Sequence, residues 1–302
     1  MLRSATSVIP SALLAGAIAV LATFFVERFG GIVGGILSTL PTTIVAYALG
    51  IYAQSVSTDE FRRAMAFVPL GILLNAAYLL LWRWLPDQLK RLQVRHVLRS
   101  TIALASFAWI VAALVLIFAH DHYEPSVEES VFFGGAATCV GLALGLYATR
   151  RVHSAPRGSH RVRLITYFMR GVGASVVVGA AILIGRSGLP LASGLASVFP
   201  IIFTTIMVST WLSQGEEVPA GAAGPMTLGT LSISVFALLA CWWMPALGPI
   251  IGATCAWCAS TACVSIPGYL YIRSHCMVSK DHEQAAADQS GTIGTASNRK
   301  IS

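Results

Sequence analysis

Two stretches, Gly35-Ile36-Leu37-Ser38-Thr39-Leu40-Pro41 and Gly194-Leu195-Ala196-Ser197-Val198-Phe199-Pro200, share the pattern Gly-x-x-Ser-x-x-Pro inside long uncharged runs. They stand 159 positions apart, and the same offset relates Trp84-Leu85-Pro86 to Trp243-Met244-Pro245. An arginine precedes each motif, Arg28 and then Arg186, one residue out of that register. Two matches in a single register, in separate segments of so apolar a chain, point to a duplicated unit.

Composition decides where such a unit folds. The 302 residues are 56% hydrophobic and 11% charged, with a mean hydropathy of +0.73. Soluble chains carry roughly 25% charged residues, whereas uncharged apolar runs of about 20 residues read as transmembrane helices. The expected fold is therefore all-α, a polytopic membrane protein. Nine spans are predicted, at about 7–26, 32–54, 64–84, 100–119, 131–149, 165–185, 189–213, 223–243 and 248–272. The stretch 218–272 has no charge over 55 residues, too long for one crossing, and Met244-Pro245-Ala246-Leu247-Gly248-Pro249 supplies a turn within it. The first apolar run is long for a signal peptide and lacks a clear cleavage site, so it reads as a retained helix.

The basic residues orient these spans. Arg83, Lys90, Arg91, Arg95 and Arg99 crowd one loop, and Arg150, Arg151, Arg157, Arg161 and Arg163 another, while the 120–130 loop holds Asp121, Glu124, Glu128 and Glu129 without a Lys or Arg. Under the positive-inside rule the two basic loops are cytoplasmic and the acidic one external. The N-terminus is then outside and the C-terminus cytoplasmic, with 16 of the 20 Lys and Arg inside. The plasma membrane is the expected location. The net charge of +7 thus sets orientation, and without an aromatic-interleaved basic face it does not suggest nucleic acid.

With this threading the two copies of the motif run in opposite directions through the bilayer. The expected organisation is a first membrane repeat over 1–120, an acidic external loop, linking fifth helix and basic cytoplasmic loop over 121–163, a second, inverted repeat over 164–275, and a disordered cytoplasmic tail over 276–302. Spans 1–4 correspond to spans 6–9. Inverted repeats of this kind are a recurrent plan of secondary transporters, since two related halves can open a central site to one side and then the other. Residues 87–99 have helical spacing of Leu89, Leu92 and Val97 among cations, and read either as a helix along the inner membrane surface or as a connecting loop.

A proline within a span frees backbone groups that neighbouring protein or lined water must satisfy. A helix broken there presents the N–H groups and positive dipole end of its second half. The predicted substrate-binding residues are therefore Ser38, Thr39, Pro41, Thr42 and Thr43 in one half and Ser197, Pro200, Thr204 and Thr205 in the other. Asn75, the clearest lone polar side chain at depth, is either a further contact or a bond between helices. Glu27, Arg28 and Arg186 stand at span ends, and the two arginines are the candidate gates. Arg170 lies close enough to the start of span 6 to snorkel to the cytoplasmic face. The expected cargo is a small polar or anionic solute, moved by alternating access. No Asp, Glu, Lys or His stands at mid-depth, which argues against a buried carboxylate relay.

The alternative cargo is a divalent or soft metal ion. It would use His120 and His122 in the external loop, or Cys255 and Cys258, which Cys-x-x-Cys spacing sets on nearly one helix face. The other cysteines fall in or beside apolar runs and suggest packing. No hydrolase, metalloprotease or nucleotide-binding pattern is present, so no enzyme and no cofactor is expected. A non-transporting scaffold is the second alternative. Partners reduce to the substrate, the lipid bilayer and, as an open option, further copies of the same chain.

Overall fold

The computed structural model describes residues 2–29, 41–123, 125–150 and 164–274. Ser38, Thr39, most of the second basic loop and the 276–302 tail lie outside the described residues, as does the side chain of Arg28. Among the described residues the chain is all helix: α1 (Leu2–Phe29), α2 (Thr43–Gln54), α3 (Thr58–Arg91), α4 (Val97–Tyr123), α5 (Val127–Thr149), α6 (Leu164–Arg186), α7 (Pro190–Ser197), α8 (Ile201–Gln214), α9 (Glu217–Leu247) and α10 (Pro249–Ser260). The last continues through a π-helical turn, Thr261–Ser265, to Ser274.

Among the described residues seven helical stretches are long and apolar enough to cross a membrane. The other two predicted spans fall on α1 and α2, where the apolar stretches Val8–Leu21 and Thr43–Gln54 are shorter than that. The chain is thus a multi-pass membrane protein. Its apolar surface is arranged accordingly: 67% of the apolar window of α3 is buried, against 17% for α4. Helix α3 is the central post, while α4 turns Phe107, Leu114 and Phe118 outward.

Local chemistry sets the helix ends. Ser57 accepts a hydrogen bond from the Glu60 backbone N–H (3.1 Å) and starts α3, with Asp59 and Glu60 in its first turn and Lys90 and Arg91 in its last, each complementing the helix dipole. Ser126 and Glu129 form a reciprocal capping box at the start of α5. Two sequence expectations shift here. Pro245 is tolerated inside α9, and the reversal into α10 comes at Gly248, whose φ of 84° suits glycine. Residues 87–99 form no separate surface helix, because α3 runs on to Arg91 and α4 begins at Val97 after a short turn.

Helices α3 and α9 form the most extensive contact in the bundle, α1 packs against α6, and α5 lies against both α3 and α9. Small residues allow the α1–α6 crossing. A side chain on Gly16 would collide with Ser175; one on Gly171 would come within 2.8 Å of Val20, and one on Gly179 within 3.5 Å of Ala12. Polar bonds tie the helix ends into two groups. Lys90 pairs with Glu216, and Arg83 Nη1 donates to the Ala148 carbonyl (3.0 Å). At the opposite end of α3, Arg62 Nε donates to the Cys241 carbonyl (3.3 Å) and its guanidinium lies 4.6 Å from the Trp242 ring centroid.

Candidate functional site

The second copy of the repeated motif breaks a span. Helix α7 ends at Ser197 and α8 begins at Ile201, with Pro200, which has no N–H to donate, in the capping position. Across the break the backbone tightens: Val198 N–H reaches the Leu195 carbonyl (3.2 Å) and Phe199 N–H that of Ala196 (3.1 Å). Gly194 lets α7 approach α3, since a β-carbon there would lie 2.6 Å from the Ala64 carbonyl. In the first copy, Pro41 is buried and α2 begins at Thr43, directly after Thr42. Both helices thus start within two residues of the repeated proline.

Asn75 holds the break in place. Its Nδ2 donates to the Val198 carbonyl (2.8 Å), and its Oδ1 accepts from Trp109 Nε1 (2.9 Å). Trp109 in turn meets Phe199 edge-on, with ring centroids 5.1 Å apart. Asn75 is fully buried. It falls 17 residues after Thr58 and 16 before Arg91, so the break sits level with the middle of α3. One turn below, Thr204 Oγ1 donates to the Pro200 carbonyl (2.7 Å) and therefore accepts from the Tyr78 hydroxyl (2.6 Å). Ser197 and Thr205 spend their protons on the carbonyls of Gly194 (2.7 Å) and Ile202 (2.8 Å).

Both helix starts open on one cavity of about 80 Å³. Thr42 and Thr43 line it from α2, Ser197 and Ile201 to Phe203 from the α7–α8 break, Asn75 from α3, and Arg170 from α6. Of the predicted substrate-binding residues, then, Thr42, Thr43, Asn75 and Ser197 converge. Pro41, Pro200, Thr204 and Thr205 support the walls without lining them. Arg186 is exposed at the end of α6 and is not among the lining residues.

Arg170 corrects the sequence reading. It does not snorkel outward: it is 7% exposed and lines the cavity. Its helix face explains why. Ala174 and Val178, four and eight residues on, line the same cavity, so the whole stripe turns into the bundle. The available signal was an arginine inside an apolar span with small residues at i+4 and i+8. Tyr78 and Trp109 also escaped notice, although aromatics with a polar tip inside apolar spans generally find a buried partner.

The electrostatics of the cavity are one-sided. The first N–H groups of each helix lack intrahelical acceptors, and each dipole adds roughly half a positive charge at its start. The Arg170 guanidinium adds a full one, and among the described residues no Asp or Glu lines the cavity. The arrangement suits an anion.

The metal-binding candidates do not gather. Among the described residues no three His, Cys, Asp or Glu side chains come together as a metal site. His120 stacks edge-on with Phe67, at a centroid separation of 5.1 Å. His122 Nδ1 lies 2.9 Å from the Phe118 carbonyl, and Glu129 serves the capping box and the Tyr123 hydroxyl. Cys255 is half-buried and Cys258 exposed. No family model matches the chain, and neither a curated protein nor a solved structure matches it.

Proposed function

We propose that the chain is a secondary transporter that moves a small anionic solute by alternating access, with its site in the cavity between the starts of α2 and α8. The observation that carries this reading is the convergence of two helix starts, each just after a repeated proline, and a buried arginine on one cavity level with the middle of α3. An anion there meets fixed positive charge on three sides without paying for reorganisation of water.

The inverted repeat belongs to the same proposal, and the α1–α6 crossing supports it. Gly16 and Ser175 face one another and are 159 positions apart. The flanking contacts, Val20 with Gly171 and Ala12 with Gly179, exchange under that same offset. An axis through Gly16 and Ser175 in the membrane plane would relate α1 to α6, α3 to α9 and α4 to α10, leaving α5 as the linking helix. The pairing of α1 with α6 and of α3 with α9 agrees with such an axis. The two groups of tied helix ends agree with the nine-span threading, the Lys90 and Glu216 end being cytoplasmic by its basic loops.

The test needs no knowledge of the cargo. In full-length protein with its six cysteines replaced, Ser197→Cys is exposed to a membrane-impermeant thiol reagent from either face of sealed proteoliposomes. A transporter whose site alternates is labelled from both faces. Labelling from one face only, or from neither, sinks the proposal.

A further inference from the structure

We infer that the turn joining α3 to α4 is a headgroup site for an anionic phospholipid, with Arg91, Arg95 and Arg99 holding its phosphate and Trp84 marking the edge of the hydrocarbon. The site lies away from the central cavity and does not depend on what the chain transports.

Two helices give the level of the turn independently. In a bilayer centred on Asn75, at the middle of α3, Trp84 lies nine residues and Arg91 sixteen residues along the helix, about 14 Å and about 24 Å away. Half the hydrocarbon core is about 15 Å thick, and the headgroups end about 20–22 Å from the midplane. Trp84, 59% exposed, thus stands at the hydrocarbon border, where an indole with an apolar body and a polar N–H is best placed. On α4 the uncharged run begins just after Arg99 and covers 100–119, about 30 Å of helix, which matches the thickness of the core. That sets Arg99 at the same border, with Arg95 and Arg91 just beyond it. All three arginines are exposed.

Charge selects the ligand. Asp87, Glu216 and Glu217 act on Lys90, and Glu216 pairs with it directly. Arg91, Arg95 and Arg99 have no such carboxylate among the described residues, where the ion pairs are Arg62 with Asp59 and Lys90 with Glu216. The undescribed stretches do not reverse the sign. Residues 151–163 bring Arg151, Arg157, Arg161 and Arg163 without an acid, and 275–302 bring Lys280, Arg299 and Lys300 against Asp281, Glu283 and Asp288. A guanidinium offers phosphate oxygens two parallel donors, and each cation near an anionic leaflet adds to the attraction. A zwitterionic headgroup carries its own cation beside the phosphate and gains less.

The experiment is equilibrium binding of a fluorescent phosphatidylglycerol to the full chain purified in a nonionic detergent, with unlabelled competitors. Phosphatidylglycerol is expected to compete about tenfold or more better than phosphatidylcholine with the same acyl chains, and the preference should narrow at high salt. Arg95→Gln and Arg99→Gln should each weaken binding about fivefold, and both together with Arg91→Gln about a hundredfold. Arg63→Gln, which removes an exposed arginine at the other end of α3, should leave it unchanged. Equal competition by phosphatidylcholine overturns the inference. Glycerol 3-phosphate competing as well as the lipid also overturns it, since the turn would then take a free phosphate ester and not a bilayer headgroup. So does a triple variant that stays monodisperse and binds unchanged. If the triple variant does not fold, unchanged binding by Arg95→Gln and Arg99→Gln overturns the inference in its place.

The Ser197→Cys labelling reports on a different part of the molecule. Labelling from one face overturns the transporter and leaves the headgroup site, and loss of the lipid preference overturns the headgroup site and leaves the transporter.

Discussion

Asn75 makes two cross-helix hydrogen bonds at once, and removing its side chain strands both partners in the middle of the bundle. Asn75→Ala leaves the Val198 carbonyl and the Trp109 indole N–H without their partner. Each buried orphan costs about 1–3 kcal/mol. The expected outcome is a clear fall in the Tm of detergent-purified protein. An unchanged Tm would mean that these two bonds do not hold the break in place. The depth of this residue was legible in the sequence, as the clearest lone polar side chain within a predicted span. Its role was not, because that depends on which carbonyl and which indole the tertiary packing brings beside it. The same gap explains Arg170. Its sequence position gives a distance from the span end, and only the packing of α6 fixes whether that face meets lipid or cavity.

At the scale of the element, the two helix starts were the legible part, for a covalent reason: proline has no N–H, so Pro41 and Pro200 mark helix starts wherever the chain is apolar. The π-helical turn at Thr261–Ser265 was not legible, since slipping from i+4 to i+5 bonding leaves no comparable mark in residue type. There the Cys-x-x-Cys pattern drew attention to Cys255 and Cys258, one turn too early. The π turn instead leaves Thr261 Oγ1 and Ser265 Oγ buried without hydrogen-bond partners among the described residues. A buried hydroxyl with no partner costs about 1–3 kcal/mol, and an apolar residue of the same shape removes that cost. Thr261→Val should therefore hold or raise the Tm of the purified protein. A protein destabilised by Thr261→Val would mean that this hydroxyl ligates something the bundle needs.

For the whole molecule, direction through the membrane is what turns a duplication into an inverted one. Seven of the spans were legible because apolar length is a property of sequence alone. Their packing was not, because it is set by contacts such as those of the small residues that meet across α1 and α6. Two turn residues at opposite ends of α3 decide the direction. Val56, before α3, is 95% exposed, and Gln93, after it, is exposed in a left-handed turn with φ of 55°. The 34 residues of α3 span about 51 Å, enough to separate them across a bilayer. In the cysteine-free protein expressed in cells, Val56→Cys should react with an impermeant thiol reagent applied outside, and Gln93→Cys only after permeabilisation. That pattern fixes α3 as running inward. The ion pair of Lys90 with Glu216 then fixes the start of α9 on the cytoplasmic side, so α9, which the proposed repeat pairs with α3, runs outward. Reversed labelling would turn the whole molecule over while keeping the inversion. Labelling of both residues from one face would remove the crossing of α3, and the inverted repeat would fall with it.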